Sequence, residues 1–426
     1  VAEETLSLVG PAFLKGEVTV SGSKNLALPL LATVPLFSAK FVFCNVPNIL
    51  DVHIMLRALS SMGIDFSWRG NTLELNCCKL RYVDLISPAL SELRASFLFV
   101  ASFLSRFGHA VIKKPGGDQI GDRPVDIHLE GLKSLGYEAN FEGDVIRFRR
   151  VRQVSDAEFV LKYPSVGATE QLIIASVVGS GRKVFRNVAT EPEVKHLISW
   201  LSSCGGKINL YPEQRVVEIE SVSFLSAQQA FFVPGDRIEG ITWLLAGLLC
   251  GNDEIVVKGV YYEDLDNVSG LFKSLGVQFQ EDKIISKRLN GFANLNIVAE
   301  PYPGFPTDAQ PMMAVLLSQG LGVGKIKDNV FPNRFAYLSE LSKLGLQFEF
   351  KENTTIIVGP QKLTGNEVVA RDIRAGIALV LAGLIASGTT SIKQVNHLRR
   401  GYELLETKLL SLGAKVLSDQ SLEYVF

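Results

Sequence analysis

The chain has 426 residues, 43 Lys and Arg against 44 Asp and Glu, a net charge of −1 and 47% hydrophobic residues. That length exceeds one ordinary core and calls for two or three domains, while the composition excludes a disordered chain. Balanced charge gives no reason to expect nucleic acid or an anionic membrane as partner, so the basic residues that matter should be local anion binders.

Roughly every 70 residues one pattern recurs, six times in all. Each unit begins with an apolar run, at 26–34, 95–104, 171–178, 241–249, 311–317 and 376–385. These runs are apolar all round, which predicts helices buried on every side, and they are too short to cross a bilayer. A strand follows at 40–44, 110–113, 183–186, 253–257, 324–327 and 389–393, then an Asn-Val or Gly-Val junction such as Asn45-Val46 or Gly259-Val260. Next comes an amphipathic helix, for example 52–62, 125–135 and 399–412, ended by Gly63, Gly136, Gly206, Gly276, Gly345 or Gly413. A glycine there fits a left-handed C-cap. Two alternating strands, such as 347–350 and 355–358, close the unit.

The pattern predicts an α/β fold in which three units close around an axis, with helices central and sheets outside. Three units per domain gives two domains, with the break near 231–236, and the residues before Gly22 read as one extra strand. The glycine-rich stretches 179–183 and 320–325 lie between helix and strand, the wrong order for a phosphate loop, and read as turns.

Cys44, Cys77, Cys78, Cys204 and Cys250 include no CxxC pair and are expected as buried thiols in a reducing compartment. His53, His109, His128, His196 and His397 have no metal-ligand spacing, so no metal is expected. Residues 1–15 lack the pattern of a secretory signal, and the cytoplasm is the expected location.

The units differ where each enters its apolar helix. The same slot holds Lys24, Arg94, Ser165, Arg237, Asp308 and Arg374. Ser and Asp are ordinary N-caps. A cation at that end opposes the helix dipole and makes sense opposite a negative ligand. A second slot, opening the amphipathic helix, holds Asp51, Arg123, Glu191 with Glu193, Asp264, Arg334 and Arg400. The second unit also carries a glycine-containing loop, 115–124, read as a mobile lid.

These motifs, SGSKN at 21–25, LRAS at 93–96, GGDQIGDRPVD at 116–126, SVGAT at 165–169, EPE at 191–193, DRIE at 236–239, FPTD at 305–308, NRF at 333–335, DIRAG at 372–376 and RRGYE at 399–403, resemble the enolpyruvyl transferases end to end. The resemblance is to the branch using UDP-N-acetylglucosamine. The sister branch, acting on shikimate 3-phosphate, typically has Ser-Lys-Ser where this chain has Ser23-Lys24-Asn25.

The resemblance implies a two-domain inside-out α/β barrel, with domains 22–232 (mobile loop 113–124) and 1–21 plus 233–426, and an active site in the interdomain cleft. It implies transfer of enolpyruvyl from phosphoenolpyruvate to the sugar 3-hydroxyl with release of phosphate, by a monomer without cofactor. Lys24, Arg123 and Arg400 would hold phosphoenolpyruvate, with Arg94 and Arg374 nearby, and Asp308 would be the base. Asn25, Arg94, Arg123, Pro124, Val125, Asp126, Ile127, Lys162, Ser165, Val166, Gly167, Asp308 and Val330 would contact the sugar nucleotide. Arg237 and Arg334 would bridge the cleft or form an interdomain ion pair.

One position departs from the family. Asp118 stands where most members carry the loop cysteine that donates a proton and that fosfomycin alkylates. Asp118 is expected as the general acid, its pKa raised from about 3.9 by desolvation, in a fosfomycin-insensitive enzyme. A non-catalytic sugar-nucleotide-binding homologue is the alternative from another class.

Overall fold

The computed structural model describes residues 4–116, 125–227 and 230–418. They form two compact units, 22–116 with 125–233, and 4–21 with 234–418, each around its own apolar core. Among the described residues there are six sheets, five of four strands and one of three, and no closed barrel.

The apolar runs are helices at Lys24–Thr33, Phe99–Phe107, Val166–Val177, Arg237–Cys250, Gln310–Leu317 and Ile373–Ile385. The Arg237–Cys250 helix is buried at every residue, because leucine, isoleucine and alanine cover its whole circumference rather than one stripe. In the five four-stranded sheets the strand after the helix lies inside its sheet beside a parallel edge strand, whereas His109–Lys113 is an edge of the three-stranded sheet. Ala157–Val160, the Val166–Val177 helix and Arg182–Arg186 show this crossover, as do Asn296–Ala299, Gln310–Leu317 and Gly322–Asp328.

The edge strands are where the structure departs from the expected unit. Four of the five parallel edge strands run from two to four residues, as in Phe231–Phe232 and Glu367–Val369, too short to show alternation. The segment before Gly22 holds two strands rather than one. Thr5–Gly10 lies between Gly388–Lys393 and Lys415–Ser418, completing the sixth sheet, and Leu14–Thr19 pairs in parallel with Gly251–Lys258. The edge strands are thereby exchanged at the two chain crossings. Leu14–Thr19 precedes the Lys24–Thr33 helix but pairs with Gly251–Lys258, while Phe231–Phe232 precedes the Arg237–Cys250 helix but pairs with Lys40–Cys44.

The junction after the central strand is a left-handed residue at Asn45 (φ 59°), Asn187 (φ 54°), Gly259 (φ 84°) and Gln394 (φ 59°). Asn45 and Asn187 tolerate that conformation and use it. Asn45 Nδ2 donates to the Val233 carbonyl and Asn187 Nδ2 to the Leu161 carbonyl, each at 2.8 Å, tying the turn to the end of the parallel edge strand.

Three further expectations change. The left-handed C-cap of the third unit is Gly205 (φ 96°), not Gly206. The helix expected at 399–412 is two, Asn396–Arg399 and Leu405–Ser411. Between them Gly401 packs so closely that a Cβ would sit 2.7 Å from Ile373 Cγ2, and Leu404 turns left-handed at φ 50°. Finally, Cys78 is exposed, whereas burial pushes the thiols of Cys77, Cys204 and Cys250 up to about 12.

Candidate active site

In the unit of 4–21 and 234–418, the helices Arg237–Cys250, Gln310–Leu317 and Ile373–Ile385 pack together in the core. Their N-terminal ends meet. Asp308, on the 3-10 turn Thr307–Ala309, accepts from Arg334 Nη1 through Oδ1 (2.8 Å) and from Arg374 Nη2 and Nε through Oδ2 (2.8 and 3.1 Å). The two arginine side chains are 6% and 5% exposed and Asp308 27%, so the carboxylate is the accessible member. Burial would raise the Asp308 pKa, but Arg374 and Arg334 outweigh it and hold the carboxyl well below its usual range.

Arg374 is kept charged in the same way. Burial works against its charge, and Asp308, Tyr402 and Asp236 overcome it. Its guanidinium lies 6.0 Å from the centre of the Tyr402 ring, and the Tyr402 hydroxyl meets Thr242 Oγ1 at 2.8 Å, reaching the first of the three helices. Burial pushes the Tyr402 hydroxyl up to about 12 against the opposing charge of Arg374.

The cations at these helix starts are compensated by their own caps. Asp236 Oδ1 accepts from Ile238 N and Glu239 N, and Asp372 Oδ1 accepts from Arg374 N and Ala375 N, at 2.8 to 3.1 Å. Each carboxylate takes N–H groups expected to be open to a ligand and offsets the unfavourable placement of Arg237 or Arg374 on the dipole. Ser165 Oγ likewise accepts from Ala168 N at 3.3 Å. The caps thus occupy N–H groups at these helix ends, which leaves the guanidiniums as the candidate anion binders.

Arg334 and Arg400 do not open helices as expected. Arg334 lies three residues before the Tyr337–Lys343 helix, and its ion pair is with Asp308 of its own unit. Arg400 is the C-cap of the Asn396–Arg399 turn and is half-buried. Val330 is anchored through its backbone, its N–H donating to Asp328 Oδ1 at 2.9 Å, while Asp328 Oδ2 accepts from Thr307 Oγ1 at 2.6 Å.

In the unit of 22–116 and 125–233, Lys24 is the first residue of its helix and pairs with Asp51 Oδ2 at 2.8 Å, both buried. Asn25 and Arg94 are half-buried at the starts of Lys24–Thr33 and Arg94–Leu98. Val125 caps the Asp126–Ser134 helix, which carries Asp126 and Ile127. Lys162 is exposed and bonds Glu130 Oε1 at 2.6 Å, with Asp126 Oδ2 at 3.8 Å. Its hydrogen bond to Glu130 raises the Lys162 pKa. Val166 and Gly167 begin the helix capped by Ser165. Asp118, Arg123 and Pro124 lie outside the described residues.

Asp328 and His128 were not singled out from the sequence. His128 is buried, with Nδ1 2.9 Å from Gln171 Oε1, and a Cβ on Gly167 would approach its Cε1 to 3.3 Å. The available signal for Asp328 was its place just before the Asn329-Val330 junction. Nothing in the local sequence marks His128.

Residues 8–409 match the family model described as EPSP synthase (3-phosphoshikimate 1-carboxyvinyltransferase). The chain is 35% identical to UDP-N-acetylglucosamine 1-carboxyvinyltransferase of Nitratidesulfovibrio vulgaris, covering 97% of this chain and 99% of that one. It is 36% identical to the protein of the same name from Trichlorobacter lovleyi, with 97% and 98% covered. Among solved structures it is similar to the enolpyruvyl transferase NikO from Streptomyces tendae, with a TM-score of 0.89 at 22% identity over 98% and 99% of the chains. EPSP synthase from Acinetobacter baumannii gives 0.75 at 15% identity over 98% and 100%. These two likenesses speak for the fold.

Proposed function

The chain belongs to the EPSP synthase family of enolpyruvyl (1-carboxyvinyl) transferases, and from that membership we propose that it transfers enolpyruvyl from phosphoenolpyruvate to the 3-hydroxyl of UDP-N-acetylglucosamine. Phosphate is released, and the step is the first committed one of peptidoglycan precursor synthesis. The observation that carries this reading is the 35% identity, over nearly the full length of both chains, to relatives bearing that name.

The chemistry assigns the roles. Asp118 protonates the vinyl carbon of phosphoenolpyruvate, leaving its neighbouring carbon electron-poor. The sugar 3-hydroxyl oxygen bonds to that carbon while Asp308 accepts the hydroxyl proton, which gives a tetrahedral adduct. Loss of a methyl proton and departure of phosphate restore the double bond as the enolpyruvyl ether. A carboxylate held as acidic as Asp308 is a weak base, so the proton moves only as the hydroxyl attacks and becomes strongly acidic. Lys24, Arg123 and Arg400 neutralise the phosphate and carboxylate of phosphoenolpyruvate, with Arg94 and Arg374 adding charge-assisted hydrogen bonds.

Asn25, Arg94, Arg123, Pro124, Val125, Asp126, Ile127, Lys162, Ser165, Val166, Gly167, Asp308 and Val330 are assigned to the sugar nucleotide, and Arg237 and Arg334 are assigned to substrate binding as well. No helix among the described residues is long and apolar enough to cross a membrane. We assign the enzyme to the cytoplasm as a monomer.

Acceptor competition tests the assignment. With phosphoenolpyruvate and equal UDP-N-acetylglucosamine and shikimate 3-phosphate, mass spectrometry should find enolpyruvyl only on the sugar nucleotide. Enolpyruvyl on shikimate 3-phosphate alone would refute it.

A further inference from the structure

Asp328 is the last residue of the strand Gly322–Asp328 and is 0% exposed. A carboxylate taken out of water needs hydrogen bonds at both oxygens, and here the donors come from two separate segments. Oδ1 accepts from Val330 N (2.9 Å) and Phe331 N (2.8 Å), and Oδ2 accepts from the Thr307 hydroxyl (2.6 Å). The first two bonds close the turn that follows the strand. Arg334 N donates to the Phe331 carbonyl at 3.0 Å, so that turn also sets where Arg334 leaves the backbone.

The bond from Thr307 fixes the direction of a chain of hydrogen bonds. A guanidinium only donates, and a hydroxyl has one proton to give. The Thr307 proton goes to Asp328, so its lone pairs are left for Arg334. Arg334 Nη1 donates to Thr307 Oγ1 at 3.2 Å and to Asp308 Oδ1 at 2.8 Å. Arg334 Nε has no hydrogen-bond partner among the described residues, and the guanidinium carbon lies 5.7 Å from the centre of the Phe331 ring. The Nη1 bond to Thr307 and the Phe331 contact both lead back to Asp328. One buried carboxylate thus holds the turn carrying Val330, the residue beside Asp308, and the arginine that grips Asp308.

We propose that Asp328 is a positioning residue of the transfer reaction, acting through Thr307 to aim Arg334 and so hold Asp308 at the sugar hydroxyl; this rests on the reading of Asp308 as the base. Proton transfer tolerates little displacement, since about 1 Å costs about 100-fold. Steady-state phosphate release with phosphoenolpyruvate and UDP-N-acetylglucosamine tests it. Thr307→Val should lower kcat about 10-fold or more. KM for the sugar nucleotide should stay within about twofold, because Val330 N remains bonded to Asp328. Thr307→Ser should restore most of kcat. Asp328→Asn puts an N–H where Thr307 needs an acceptor and should lower kcat likewise. The double variant Asp328→Asn/Thr307→Val should lose no more than the worse single variant, because both changes break one chain. Wild-type kcat in Thr307→Val, a loss in KM instead of kcat, no rescue by Thr307→Ser, or multiplicative losses in the double variant each overturn the proposal. A wild type without sugar-dependent phosphate release refutes the transfer reading instead. In that case the crystal structure of Thr307→Val decides the positioning by itself: Arg334 should be turned off Asp308 Oδ1, and an unchanged Arg334–Asp308 contact overturns it.

Discussion

Asp308 is the residue for which the proposed chemistry and the observed ion pairing meet. It neutralises two buried guanidiniums, and it is the accessible member of the three. Asp308→Asn should leave Arg334 and Arg374 without their counter-charge, destabilising by about 3–5 kcal/mol in urea unfolding and lowering kcat about 100-fold or more. Full stability in that variant would contradict the assignment. The pH dependence has a definite sign. The folded pKa is depressed, so the contribution is present above the unfolded value of 3.8 and is lost as pH falls below it. The variant should therefore show a flatter loss of stability below pH 4, about where an ordinary aspartate titrates. Asp118 carries the other residue-scale prediction. The unmodified protein should be insensitive to fosfomycin, and Asp118→Cys should acquire covalent inactivation, read by intact mass; an adduct on the unmodified protein would refute it. Asp308, Arg334 and Arg374 could each be picked out from the sequence as polar breaks in the repeat. Their mutual pairing could not, because 26 and 66 residues separate the partners and no local pattern encodes the contact.

At the scale of the element, legibility followed length. Helices of eight to fourteen residues, apolar all round, were readable from composition, whereas edge strands of two to four residues carry too few positions to show alternation. The helix expected at 399–412 failed for a tertiary reason, since Gly401 presses against Ile373. Two of the left-handed junctions, at Asn45 and Asn187, were visible as Asn-Val pairs, and they support a prediction. Asn187→Ala loses both the tolerated conformation and the bond to the Leu161 carbonyl. It should cost about 1–2 kcal/mol, and Asn187→Gly less, because glycine keeps the left-handed backbone. Equal stability of the alanine variant and the wild type would contradict this account.

For the whole molecule, the repeat is closed by the residues before Gly22. Thr5–Gly10 is an interior strand, with Gly388–Lys393 on one side and Lys415–Ser418 on the other. Deleting residues 1–10 should abolish slow amide exchange across 388–393 and 415–418, and unchanged protection there would show that the sheet does not depend on it. That dependence was hidden in the sequence because the partners lie nearly four hundred positions apart. The six units share the scaffold, and the residues assigned to chemistry are the positions at which they differ. The central claim is that these differences serve one coupled transfer. Phosphate release from phosphoenolpyruvate, followed between pH 5 and 8 with and without UDP-N-acetylglucosamine, tests it most directly. The account predicts release only when the sugar nucleotide is present, in one-to-one ratio with enolpyruvyl product; no such dependence at any pH in that range would contradict it.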